Sequence, residues 1–170
     1  MLLEPEIRRF LQHQYPRVVA AVALVSGSRA AAEDAVQEAL LRAWERVERG
    51  DEIGSLPNWV ATVALNLSRS GIRRAIAERR ARRQIVPASA GTLAEPSGDP
   101  VDVQRALAGL PRRQREVAVL RYLLDMDTRE TALALGVSDG TVKSQLADAR
   151  RGLASALRID ELDEVSNDEG

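Results

Sequence analysis

Lys143, Ser144, Ala147 and Arg151 fall on or near one face of a helix at roughly 100° per residue, opposite Val142, Leu146, Ala149 and Leu153. Small and basic side chains so placed can recognise a polyanion: the small residues allow close approach, and the cations meet phosphate or the acceptor edge of a base. A second cationic set lies in 69–83, with seven Arg against one Glu. That density repels itself and calls for an anionic partner, with a merely solvated face as the alternative. Asn66, just ahead of it, could offer a donor and an acceptor to a base edge or simply face water. Covalent and metal chemistry is poorly served. With no cysteine and a single histidine, His13, disulfides, thiolate metal sites, cysteine nucleophiles, histidine clusters and His-dependent triads are excluded together. No catalytic residue, metal or cofactor is expected, and an all-helical enzyme would lack nucleophile, metal set and phosphate loop.

The recognition face needs a scaffold, and residues 127–151 have the grammar of two short helices meeting at a tight turn. Asp127 with Glu130 reads as a capping box, Gly136 supplies the positive φ of the turn, and Ser138 or Asp139 can cap the second helix. This is a helix-turn-helix suited to major-groove insertion, although paired helices around a glycine also occur in proteins that never touch DNA. Ahead of it stand a short helix around Val103 to Ala108 and another opened by Pro111 and carrying Val117, Ala118, Leu120, Tyr122, Leu123 and Leu124. The four make a compact bundle.

The first half has its own helical pattern. Ile7, Phe10, Leu11, Val18, Val19 and Val22 recur at helical spacing, and Pro16 should kink or divide that helix. From Ala30 to Arg49 the inward series is Ala32, Ala35, Val36, Ala39, Leu40, Ala43, Trp44 and Val47, with Asp34, Gln37, Glu38 and Arg42 outward. Taken alone, that polar face is a solvated one. Residues 49–58 form a loop by their glycines, with Pro57 in the first turn of a helix whose buried stripe is Trp59, Val60, Val63, Ala64 and Leu67.

Between the halves, residues 84–101 hold three prolines and two glycines without periodicity, the composition of a linker. Fully extended, such a segment spans up to about 60 Å. Twenty-four basic against 25 acidic residues nearly cancel, but residues 160–170 hold six carboxylates and no base, so the sum hides a basic segment and an acidic tail. Opposite charge suggests that the tail could shield the Arg-rich helix. No apolar run is long enough to cross a bilayer and the start is not a signal peptide, so a cytoplasmic protein without membrane attachment is expected. The fold class is all-α: two small helical domains joined by a flexible linker, the second a four-helix bundle with a helix-turn-helix.

Residues 31–44 (Ala-Ala-Glu-Asp-Ala-Val-Gln-Glu-Ala-Leu-Leu-Arg-Ala-Trp) and 110–122 (Leu-Pro-Arg-Arg-Gln-Arg-Glu-Val-Ala-Val-Leu-Arg-Tyr), followed by the helix-turn-helix, resemble bacterial RNA polymerase sigma factors of the extracytoplasmic function (ECF) group, particularly short actinobacterial members. The resemblance covers about residues 5 to 157. It implies a region 2-like domain over 1–83, a linker over 84–101 and a region 4-like domain over 102–157; the acidic tail over 158–170 lies beyond it and is expected to be disordered by its composition. The first domain would dock on the β′ clamp helices of core RNA polymerase through Asp34, Gln37, Glu38 and Arg42, with Trp44 in the core, and would melt the −10 element. Asn66, Arg69, Arg73 and Arg74 would contact −10 DNA, with the loop from Arg49 to Leu56 helping to pocket a flipped base. The second domain would lean on the β flap and read −35 DNA through Thr141, Lys143, Ser144, Ala147, Arg150 and Arg151. There, Lys143 meets phosphate or guanine, Ser144 phosphate or base, and Arg150 either DNA or a partner within the fold.

Members of the group are commonly held inactive by an anti-sigma factor, a further partner that the resemblance admits here; the free chain is expected to be a monomer. The sequence departs from the family at Gln145 and Asp148, where Arg is usual, and at Ser70, where Asp or Asn is common. The function implied is a sigma factor that binds core polymerase and directs promoter recognition and DNA melting. The rival is a stand-alone helix-turn-helix transcriptional regulator, which would need a dimer and a palindromic site.

Overall fold

The computed structural model of the chain describes residues 3–82 and 100–157. The expected acidic tail, Arg83 and all but the last two residues of the expected linker lie outside the described residues. The chain divides into two compact units, Met1–Ala94 and Glu95–Gly170. Among the described residues every regular element is helical.

In the first unit, α1 (Leu3–His13) and α2 (Tyr15–Ser26) are separated at Gln14. Pro16 enters the first turn of α2, where its missing N–H would have had no helical partner, so the proline divides the helix as expected. Gly27, at φ 76°, ends α2. Ser28 then opens α3 (Arg29–Glu48), its Oγ accepting from the Ala31 N–H at 3.2 Å. After the loop 49–55, α4 runs Leu56–Arg82. Phe10, Val18, Val19, Val22, Val36, Val60 and Leu65 form the core, each fully buried large side chain contributing about 1.5–3 kcal/mol by the area it removes from water. Ala32, Ala35, Ala39 and Ala43 on α3, with Ala61 and Ala64 on α4, are buried small residues, and α3 packs mainly on α4 and α2.

Trp44 corrects the sequence expectation. It stands 43% exposed, and Leu41 is 63% exposed. The buried line of α3 runs through Ala32, Val36, Ala39 and Ala43, and Trp44 lies about 120° round from its centre. Apolar type alone had assigned it to the core; its angle puts it on the rim.

The second unit comprises α5 (Pro100–Gly109), α6 (Arg112–Ala118), α7 (Thr128–Leu135) and α8 (Asp139–Leu157). Where one uninterrupted helix was expected after Pro111, α6 passes at Val119–Leu123 into a π-helical turn. The Leu124 N–H bonds the Val119 carbonyl at 3.3 Å and the Met126 N–H that of Leu120 at 3.1 Å. The Arg121 guanidinium donates to the Met126 carbonyl and clasps the turn. Leu107, Leu110, Val117, Val119, Leu120, Met126, Leu135, Val142, Leu146 and Ala149 are buried between these helices.

Candidate nucleic-acid interface

The second unit holds α8 by local chemistry at each end of α7. Asp127 accepts from the Glu130 N–H at 2.7 Å while the Glu130 carboxylate accepts from the Asp127 N–H at 2.8 Å, the reciprocal capping box read from the sequence. Gly136 takes φ 65° and ends α7. Ser138, the first of the two expected candidates, opens α8, its Oγ accepting from the Thr141 N–H at 3.1 Å and lying 2.9 Å from the Thr141 hydroxyl. Thr141 is therefore engaged in the cap as well as exposed.

With Val142, Leu146 and Ala149 buried, Lys143, Ser144, Ala147, Arg150 and Arg151 are all exposed along α8. Leu153, expected inward, is only part-buried near the helix end. Arg150 has a partner within the fold: its Nε donates to the Tyr122 hydroxyl at 2.5 Å. The guanidinium carbon also stands over the ring, 6.0 Å from its centroid, at the outer limit of a cation–π contact. That bond ties α8 to the π-helical turn. Arg151 pairs with Asp148, a contact the sequence did not announce.

On α4 the four expected −10 residues share a helical stretch. Asn66 is exposed, and its Oδ1 accepts from Arg69 Nη1 at 3.2 Å. Its backbone carbonyl accepts from Ser70 Oγ at 3.1 Å. Arg73 lies further along the same helix, and Arg74 is exposed. Upstream of α4, the loop turns through Gly50 at φ 91°. The Asp51 N–H bonds the Arg46 carbonyl at 3.2 Å, and its carboxylate stands 3.8 Å from Arg46 Nε.

The outer face of α3 is mixed. Asp34 and Gln37 are exposed, and Glu38 accepts from Arg42 Nε at 2.8 Å. Leu41 and Trp44 are exposed on the same half of the helix. Carboxylates, an amide and two large apolar side chains together make a surface fit for a protein partner. Sequence reasoning found the polar members and missed the apolar pair, which the 100° spacing could have separated from the buried line.

Among the described residues, no group of acidic or histidine side chains could hold a metal ion, and no helix is long and apolar enough to cross a membrane. Among the described residues every regular element is helical, with a helix-turn-helix in one unit and Arg69 and Arg74 on a helix of the other, the features of a nucleic-acid-binding protein. Residues 10–78 match the family model for sigma-70 region 2 and residues 101–153 that for sigma-70 region 4. The ECF RNA polymerase sigma factor SigL of Mycobacterium tuberculosis is 34% identical over 168 residues, covering 91% of this chain and 91% of that protein. EcfG of Rhodopseudomonas palustris is 29% identical over 177 residues, covering 99% and 94%. Among solved structures, the sigma factor RpoE in its complex with the anti-sigma factor NepR from Bartonella quintana superposes with a TM-score of 0.74 at 28% identity, covering 91% of this chain and 98% of that one. CnrH, solved with the cytosolic domain of CnrY, gives a TM-score of 0.59 at 25% identity, covering 90% and 87%.

The chain belongs to the sigma-70 family of RNA polymerase sigma factors, in its ECF group. It is a sigma factor directing transcription initiation, and the rival reading as a stand-alone regulator falls, because both sigma regions match in order along one chain.

Proposed function

We propose that residues 1–83 bind core RNA polymerase and the −10 element, that 102–157 read the −35 element, and that 84–101 link them. In this reading Asp34, Gln37, Glu38 and Arg42 on α3, joined by Leu41 and Trp44, dock on the β′ clamp helices. Asn66, Arg69, Arg73 and Arg74 hold −10 DNA as it melts, and the 49–55 loop helps to capture an extruded base. Thr141, Lys143, Ser144, Ala147 and Arg151 meet −35 DNA, while the second unit leans on the β flap. Arg150 acts chiefly by tying α8 to Tyr122. The protein lends promoter choice to the polymerase's chemistry and has no active site of its own. It works in the cytoplasm and is a monomer when free. RpoE was solved with an anti-sigma factor, and a protein of that class is a proposed partner here.

The observation that carries the reading is the face of α8: small and cationic side chains outward, apolar ones buried, and an anchored helix start. It suits insertion into a major groove and contact with phosphates. Run-off transcription from a promoter pool, with core polymerase alone and with this protein, tests it. Specific initiation should appear only with the protein, and Asp34→Ala with Arg42→Ala should lower it by roughly tenfold, each lost exposed charged contact being worth about 0.2–1 kcal/mol. Initiation unchanged by the two substitutions would remove α3 as the docking face.

A further inference from the structure

The recognition face of α8 carries a carboxylate where cations would be expected. Asp148 accepts from Arg151 Nη2, with the side chain of Arg151 79% exposed and that of Asp148 35%. Three residues apart on a helix, the two are surface neighbours. Arg151 continues a line through Gly140, Ser144 and Ala147, directly opposite the buried Val142 and Ala149. The residues ahead of it on that line are too small to hold the helix away from a groove floor. Arg151 is the first long side chain there.

A carboxylate facing a base pair is repelled by the acceptors O6, N7 and O4, so Asp148 cannot read guanine or thymine directly. It can fix a guanidinium. One donor of Arg151 is engaged by Asp148, and the remainder of the planar fork is left to reach a base edge. We propose that Asp148 is a positioning residue for Arg151, and that the pair makes this sigma factor select a G·C pair in its −35 element. The fork donates to guanine O6 and N7, and the second Asp148 oxygen accepts from the N4 amino group of a cytosine. The inference rests on the reading of α8 as the −35 helix. It also sets a sign: Asp148 weakens attraction to phosphate at every sequence, so the pair adds discrimination at the expense of general affinity.

Holoenzyme assembled from core polymerase and the full chain, transcribing a promoter pool with a fixed −10 element and randomised −35 positions, tests this. The wild-type pool should show one position strongly enriched for guanine on one strand. Arg151→Lys, which keeps the charge and loses the fork, should reduce that preference roughly tenfold while the other positions keep theirs. Asp148→Ala should relax the same position and raise transcription from poorly matched sites. An equal fall at all sequences with Arg151→Lys would make Arg151 a phosphate contact and overturn the proposal. So would an unaltered guanine preference with Asp148→Ala, which would leave the pair a surface ion pair. A wild-type holoenzyme indifferent to the −35 positions would overturn the −35 reading itself, and the pair's role with it.

Discussion

Glu116 on α6 is 1% exposed and carries a carboxylate, which only partners can make tolerable. Arg112 Nε and Arg113 Nη1 stand 3.1 and 3.2 Å from its two oxygens, reaching in from positions that are themselves half exposed. Glu116→Gln keeps the shape and removes the charge that these bonds depend on. It should lower unfolding stability by about 1–3 kcal/mol, read as a fall in denaturant midpoint; an unchanged midpoint would mean that the two arginines contribute nothing there. Residue-scale roles were unevenly legible. The outward positions of Lys143, Ser144, Ala147 and Arg151 followed from helical angle alone, because the apolar residues of α8 leave them no other side. Trp44 is a core residue by type and a rim residue by helical angle, and the angle is the better guide. Partners such as Tyr122 for Arg150 depend on a contact between distant segments, and no local pattern encodes it.

At the scale of elements, α7 is bounded by two devices that act independently of the core: the Asp127–Glu130 box at its start and Gly136 at its end. A Cβ at Gly136 would meet nothing within 4 Å, so the demand for glycine comes from φ +65° alone. Gly136→Ala should therefore cost about 1–2 kcal/mol in thermal unfolding, and Asp127→Ala about 1 kcal/mol through the lost cap. If Gly136→Ala proved neutral, the turn would have to have relaxed to another conformation, and the aim of α8 with it. These signals were readable because capping and turn chemistry span only a few residues. The π-helical turn at Val119–Leu123 was not. Its register shift comes from tertiary fit, with Arg121 on the Met126 carbonyl, Tyr122 on Arg150 and Asp125 at φ 52° without a glycine to mark it. Asp is among the few non-glycine residues that tolerate this region, too weak a cue to find the turn in advance.

Over the whole molecule the charges are separated along the chain while nearly cancelling in sum, and by charge alone the acidic tail should oppose the approach of the free protein to DNA. The formal net charge is −1 for the full sequence, and deletion of 160–170 removes six carboxylates and no base, leaving +5. Association with duplex DNA is governed by phosphate neutralisation and counterion release, so the shift in charge should act most at low ionic strength. The shortened chain should bind promoter duplex several-fold more tightly than the full chain at about 50 mM salt, with the two converging near 200 mM, where screening confines exposed charges to a Debye length of about 7–10 Å. Fluorescence anisotropy on one labelled duplex across that salt range measures both curves. A constant ratio between them would mean that the tail acts by something other than its charge. Equal affinities at low salt would mean that it does not oppose the arginines of 69–83 at all, and the reading of the tail as their counter-charge would be lost.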